Sequence, residues 1–394
     1  MKKGKAICIA IALALVTMTF IVQPVSASST RLESLRAYID PRYDPDTGAY
    51  GFEEGGASWA SATYSALTLF EAQNLLDARP PIIDMFDTKN FTARIQWDTG
   101  DPEEEDRYGG FSRYQAGPVD MRSTYVGIEL WRMISEHQQG IPNIENVDFN
   151  ETAVMVFLNK TQNDDGGFGS VVGADSDMLS TYQGLYIMSY IDSNFEESMD
   201  VWLQNETMTY NWIMECFKDQ AFLLHPDARS AGVTPTATAL MALDILDRLT
   251  SFDAQDVENW LINRQITEED QGFVGGFEEG VNTNDTNIIS TYYALEAFTL
   301  FGSISSVNTS IAEDFILSCQ AADGSWGLNP GVEEGSFPYI AYAISSLDMI
   351  DAMDGLNEID PNSENYPLID WRIALVIGVI VAAVIIGILS VKMD

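Results

Sequence analysis

Cysteine and histidine are scarce in this 394-residue chain. It holds three cysteines, of which only Cys216 and Cys319 lie beyond residue 27, and two histidines, His137 and His225. That excludes a disulfide framework, and the two later cysteines leave open one disulfide or two buried thiols. Positive charge is the second shortage. Twenty Lys and Arg stand against 59 Asp and Glu, a net charge of −39. Phosphate backbones would be repelled, so nucleic acid is excluded as a partner. The acids are spread along the chain with no acidic tail, as on a solvated acidic surface.

Charge is missing altogether from Ile373 to Val391, "IALVIGVIVAAVIIGILSV". That run is long enough to cross a bilayer, with Trp371 and Arg372 at one interface and Lys392 at the other. At the other end Lys2, Lys3 and Lys5 precede the apolar run Ala6–Val22, and "VSA" ending at Ala27 offers small residues for cleavage. This reads as a secretory signal, a retained anchor helix being the alternative. The expected organisation is a signal at 1–27, a folded domain at 28–355, a linker at 356–372, a transmembrane helix at 373–391 and a cytoplasmic tail at 392–394. The expected location is the cell membrane, single-pass, with the folded domain outside the cytoplasm. Sequons at Asn90, Asn150, Asn159, Asn205, Asn284 and Asn308 fit an exported glycoprotein.

What is abundant is a repeat. "KTQNDDGGFGS" (Lys160–Ser170) returns as "SCQAADGSWG" (Ser318–Gly327), and "DRYGGFSRY" and "QGFVGGFEEG" carry its second half. A second element recurs beside it: "SATYSALTLF", "RSTYVGIELW", "LSTYQGLYIM" and "ISTYYALEAF", completed by "PTATALMALDIL" and "PYIAYAISSLDMI". Each of these runs is apolar nearly all round, as in a helix buried on every side. Before each turn lies a more amphipathic segment, such as "DAQDVENWLINRQ" with Val257, Trp260 and Leu261 at helical spacing. Six repeats of outer helix, glycine turn and inner helix follow, and closing them in a ring predicts an all-α fold, an α6/α6 toroid. Gly166 and Gly167 would let the chain reverse, Phe168 or Trp326 would fill the space between outer helices, and Gln162 or Gln320 would bond helix-end carbonyls.

Gln320, Gly324 and Trp326 make a Gln-x-x-x-Gly-x-Trp pattern that resembles the repeated signature of squalene–hopene cyclases. The Gly-Gly-Phe turns followed by "TYYAL"-type helices resemble protein prenyltransferase beta subunits. Both belong to one toroid superfamily, and the resemblance covers roughly Arg31 to Met353. It implies a zinc held by an Asp-x-Cys pair and a His at the starts of late inner helices. The matching positions hold Asn287, Ile289 and Tyr339, with Asp285 nearby, so zinc of the family type is not expected. For the family's diphosphate the chain offers only His225, Arg229 and Arg122. For a cyclase acid motif it offers "DSDM", Asp175 to Met178, without the final Asp. The Cys-Gly-Glu-Gln of complement-type thioester toroids is absent.

Two candidate sites remain. Aromatic residues of the inner helices, above all Tyr125, Tyr182, Tyr292 and Tyr339, suit an apolar, peptide or glycan ligand in the central cavity. Glu-Glu-Gly recurs in the turns of the first, fifth and sixth repeats (Glu53, Glu54; Glu278, Glu279; Glu333, Glu334), with Asp175 and Asp177 in the third. These acids would form a mouth able to take a divalent cation such as calcium, or simply a solvated rim. The leading expectation is a membrane-anchored toroid that binds an apolar or extended ligand without family-type zinc catalysis. The alternatives are a prenyltransferase or terpenoid-cyclase-type enzyme with altered catalytic residues, and a carboxylate-based glycoside hydrolase or lyase.

Overall fold

The computed structural model describes residues 28–78, 82–195, 197–249, 254–268 and 273–363. The expected signal at 1–27, the span at 373–391 and the tail lie outside them. Among the described residues no helix is long and apolar enough to cross a membrane. In chain order the helices are α1 (Arg31–Ile39), α2 (Ala60–Ala72), α3 (Met85–Arg94), α4 (Met121–His137), α5 (Glu151–Thr161), α6 (Met178–Asn194) and α7 (Met199–Trp202). Then come α8 (Glu206–Glu215), α9 (Val233–Ile245), α10 (Ala254–Ile262), α11 (Ile288–Leu300), α12 (Thr309–Ser318) and α13 (Phe337–Met349).

Residues 35–356 form one compact unit. Within it α2 packs on α4, α4 on α6, α6 on α9, α9 on α11, α11 on α13, and α13 back on α2. These six inner helices close a ring, as the repeats predict. Their sequences explain the close approach. In α9, "VTPTATALMALDI", small Ala and Thr side chains are buried on several faces, and Thr236 and Thr238 return their hydroxyls to the carbonyls of Gly232 (2.7 Å) and Thr234 (2.9 Å). The described part of the second unit is a short clasp, in which the N–H of Arg31 donates to Glu358 O and that of Asp360 to Ser29 O, both at 2.9 Å.

The connections differ from simple turns. Each outer helix runs into a hairpin, and two of these carry regular ladders, so the fold is all-α apart from them. In the first repeat β1 (Tyr43–Asp44) pairs with β2 (Ala49–Tyr50); in the fourth, β3 (Phe217–Lys218) pairs with β4 (Ala221–Phe222). Elsewhere single bridges do the same work, Gln162 facing Phe168 and Gln320 facing Trp326. The backbone N–H groups of Phe111, Phe168, Phe222 and Phe277 donate to the hydroxyls of Thr124, Thr181, Thr236 and Thr291 at 3.0–3.1 Å. This accounts for the recurrent threonine: it ties the hairpin to the inner helix while the aromatic ring is wholly buried.

The glutamines take a different partner from the one expected. Gln265 Nε2 donates to Gly275 O (3.2 Å) and Asn308 O (3.0 Å), and its Oε1 accepts the N–H of Asn308 (3.1 Å). Gln96 repeats this with Gly109 and Asn150, and Gln162 with Gly166, Thr209 and Gln204. The side chain therefore staples its own turn to the start of the following outer helix. Cys216 and Cys319 are both buried free thiols, and burial pushes Cys216 up to about 12.

The turn glycines carry a second constraint beyond reversal. Gly275 has φ +97°, and a Cβ there would stand 1.8 Å from Ile311 O on the next outer helix. Gly173 also has a positive φ, +80°, but faces open space. Gly173→Ala should therefore cost only the left-handed backbone penalty, about 1–2 kcal/mol. Gly275→Ala should cost at least twice as much in a urea melt, because backbone must also move; equal costs would show that the turn and the outer helix are not packed this closely.

Candidate functional site

One end of the ring is built from the starts of the inner helices. Asp120, Asp177 and Asn287 cap α4, α6 and α11 by accepting N–H groups of the first turn. The first N–H of each of five inner helices then crosses to the hairpin of the next repeat: Ala60 to Arg113 O, Met121 to Ser170 O, Met178 to Leu224 O, Val233 to Glu279 O and Ile288 to Leu328 O, at 2.8–3.0 Å. Hairpins thus frame this end. Between them opens a mouth cavity of about 410 Å³, walled by Phe52, Trp59, Ile289, Pro338 and Tyr339. Arg113 and Asp120, paired at 2.6 Å, stand at its edge, and Arg122 at its base.

Below the mouth the ring narrows to a second cavity of about 60 Å³. Tyr125, Tyr182 and Tyr292 meet there, joined by Tyr64, Tyr293 and Tyr342. The fourth expected tyrosine, Tyr339, stands apart on the mouth wall. Asn287 caps α11 through its side-chain oxygen, while Ile289 and Tyr339 both face the mouth. Of the three expected cations, Arg122 alone lines either cavity; Arg229 is exposed in its loop.

Further down the ring lies a group of charged residues that the sequence patterns did not single out. Arg132 on α4 reaches Glu136 at 2.8 Å, Glu129 at 3.3 Å and Glu71 of α2 at 3.4 Å. Tyr186 of α6 donates its hydroxyl to Glu129. Burial holds the Glu129 carboxyl above the ordinary glutamate range, against the opposing pull of Arg132 and Tyr186. Glu296 of α11 is raised in the same sense by burial, against a hydrogen bond from Tyr292. A single glutamate inside otherwise apolar runs, "YVGIELW" and "YYALEAF", was the signal that could have found them.

The expected acidic mouth is divided by the structure. Glu53, Glu54, Asp175, Glu333 and Glu334 are exposed, and Asp177 is a helix cap. Glu278 is only 4 % exposed. It pairs with Arg264 at 2.8 Å and accepts N–H groups of Asn282, Thr283 and Asn284. Glu279 accepts the hydroxyls of Thr234 and Ser290, both at 2.9 Å. These two acids hold loops and helix starts together, so they are not free members of a rim. Among the described residues the acidic or histidine group close enough to share an ion is Glu71, Glu136 and His137, whose ligand atoms lie within 4.8 Å, and Arg132 already supplies positive charge there.

A family model described as a prenyltransferase alpha-alpha toroid domain matches residues 8–215 and 197–373. The geranylgeranyl transferase type-2 subunit beta of Saccharomyces cerevisiae is 22% identical over 266 residues, spanning 65% of this chain and 74% of the yeast protein. Among solved structures, the Candida albicans protein geranylgeranyltransferase-I complexed with GGPP aligns with a TM-score of 0.57 at 15% identity, over 78% of this chain and 90% of that one. An alpha-mannanase of Bacteroides thetaiotaomicron aligns at 0.53 and 9% identity, over 82% and 93%. At such identities the structural likenesses establish the fold.

Glu296 holds its proton more tightly folded than unfolded. Its stabilising contribution is therefore whole below the ordinary value of 4.5 and fades as pH rises through the folded pKa. In melts from about pH 4.5 to about pH 8, wild type should lose stability more steeply than Glu296→Gln. Parallel curves would show that this carboxyl is solvated.

Proposed function

The chain belongs to the prenyltransferase alpha-alpha toroid family, and on that premise we propose that it binds an apolar or extended ligand, an isoprenoid chain foremost, without the family-type zinc chemistry. One observation carries this reading: the mouth cavity of about 410 Å³, walled by Phe52, Trp59, Ile289, Pro338 and Tyr339. Its volume lies within the range of small-molecule sites, roughly 300–1,000 Å³, and its wall sets these apolar side chains beside Arg113, Asp120, Arg122, Ser61, Ser123 and Ser336, which could orient a ligand's polar end. Burying an isoprenoid there would release water from both surfaces, at about 25 cal/mol per Å² of apolar area. The donor atoms at the family's zinc positions do not suit a metal. Ile289 offers no lone pair, and the side-chain oxygen of Asn287 is engaged with the N–H groups of Ile289 and Ser290 at 3.0 Å.

The remaining parts of the reading rest on sequence. The run at 373–391 would anchor the chain in the membrane, and the signal at 1–27 would place the ring outside the cytoplasm. An altered enzyme remains the second reading, on the strength of the family alone.

Two measurements test this. Geranylgeraniol and geranylgeranyl diphosphate, titrated into the full chain in detergent, should quench tryptophan emission through Trp59 on the cavity wall, and Ile289→Arg, at a half-buried position of that wall, should abolish that quenching while leaving the melt unchanged. No quenching by either compound, or an unaffected variant, would refute an apolar ligand in the mouth. For topology, protease added to intact cells should digest the ring; complete protection until lysis would place it inside.

A further inference from the structure

The small cavity below the mouth has a chemistry of its own. Tyrosines from five inner helices surround it: Tyr64 on α2, Tyr125 on α4, Tyr182 on α6, Tyr292 on α11 and Tyr342 on α13. Their rings are inclined to one another, not stacked. Tyr125 and Tyr182 meet at 51° with centroids 6.1 Å apart, and Tyr292 and Tyr342 at 56° and 5.0 Å. The space they enclose, about 60 Å³, holds about four waters or a group of about four heavy atoms.

Charge is arranged along the ring axis in one sense. Toward the mouth stands Arg122, whose guanidinium donates to the Tyr342 hydroxyl at 3.2 Å. Among the described residues no carboxylate lies within ion-pair distance of it, in a chain of net charge −39. On the far side lie the carboxyl groups of Glu129 and Glu296, bonded to Tyr186 and Tyr292. Glu129 pairs with Arg132, which is shared with Glu71 and Glu136. Glu129 follows Arg122 by seven residues on α4, about 10 Å along the helix axis.

A buried excess of carboxyl groups either keeps protons or takes a cation, and tyrosine faces attract a cation that has shed its water. A simple cation entering from the mouth would meet Arg122 and be repelled. A hydrocarbon tip would leave Arg122 with its Tyr342 hydrogen bond but no anionic partner at ion-pair distance. A molecule positive at its inner end and negative at its outer end satisfies both groups at once. We propose that the tyrosine cage is a binding site for a small zwitterion, its ammonium group enclosed by the rings above Glu129 and Glu296 and its anionic end held by Arg122. This site lies in series with the mouth cavity and does not depend on an apolar occupant there.

The test uses the full chain and three probes at millimolar concentration and matched ionic strength: glycine betaine, tetramethylammonium and 3,3-dimethylbutanoate. The last has the shape of betaine with a neutral carbon in place of the nitrogen, so it separates charge from apolar fit. By isothermal titration betaine should bind at least tenfold more tightly than either of the others. Arg122→Gln, at an accessible position, should bring betaine down to the level of tetramethylammonium. Glu296→Gln should weaken betaine at least tenfold and leave dimethylbutanoate unchanged. Dimethylbutanoate binding as tightly as betaine would overturn the proposal and leave an apolar pocket. Betaine that fails to bind, or that binds Arg122→Gln undiminished, would overturn it outright, and that variant settles the matter even should Glu296→Gln fail to fold.

Discussion

A helix begins with N–H groups that have no partner within it, and burying six such beginnings around one opening would be costly unless each were satisfied. In this ring the neighbour supplies the acceptor for five of the six. The leading N–H of one inner helix reaches the hairpin carbonyl of the next repeat, as Met121 reaches Ser170 and Met178 reaches Leu224, both at 2.8 Å. Much else depends on this arrangement. The hairpins must stand at fixed height beside the helix starts, so their aromatic residues are buried and their threonine ties are short. The glycine turns must then pass within contact distance of the following outer helix, and the glutamine staple secures them there.

A ring held in this way has two unlike ends. At the mouth the backbone is engaged from repeat to repeat, and Glu278 and Glu279 are drawn into the same work through Arg264, Thr234 and Ser290. Acidity at the rim is therefore partly structural. Deeper, side chains replace backbone as the organising groups. Arg132 gathers three carboxylates, and the tyrosines above them accept or donate hydrogen bonds that keep buried polar atoms paired. Breaking one member of such a network exposes its partners to an unmatched burial cost, which makes this region sensitive to single substitutions.

Family membership and local chemistry point to different levels of description. The toroid is shared with proteins of distinct activities, so the fold positions a cavity without deciding what enters it. This chain places there Asn287 as a helix cap, Ile289 and Tyr339 on the mouth wall, Arg122 between the two cavities, and two carboxyl groups below.

The repeat, the helix pairs and the turn glycines were legible in the sequence because each is a local matter. A buried helix announces itself by its apolar run, and a sharp reversal by glycine at a position where a Cβ would collide, as at Gly166 and Gly275. Tyr125, Tyr182 and Tyr292 could likewise be placed on the inner helices. The axial arrangement was not legible. An amphipathic helix reveals which side faces the core, but α6 and α11 are apolar on most sides, so their periodicity does not mark the face turned to the axis. Whether Glu129 and Glu296 meet, and whether Tyr339 joins the other tyrosines, depends on the rotation of helices far apart in sequence. That rotation is set only when α13 packs against α2 and the ring closes. The sequence by itself determined the elements and their order; ring closure decided which of their side chains share a cavity, because contact across the axis is a property of the closed ring and of no single repeat.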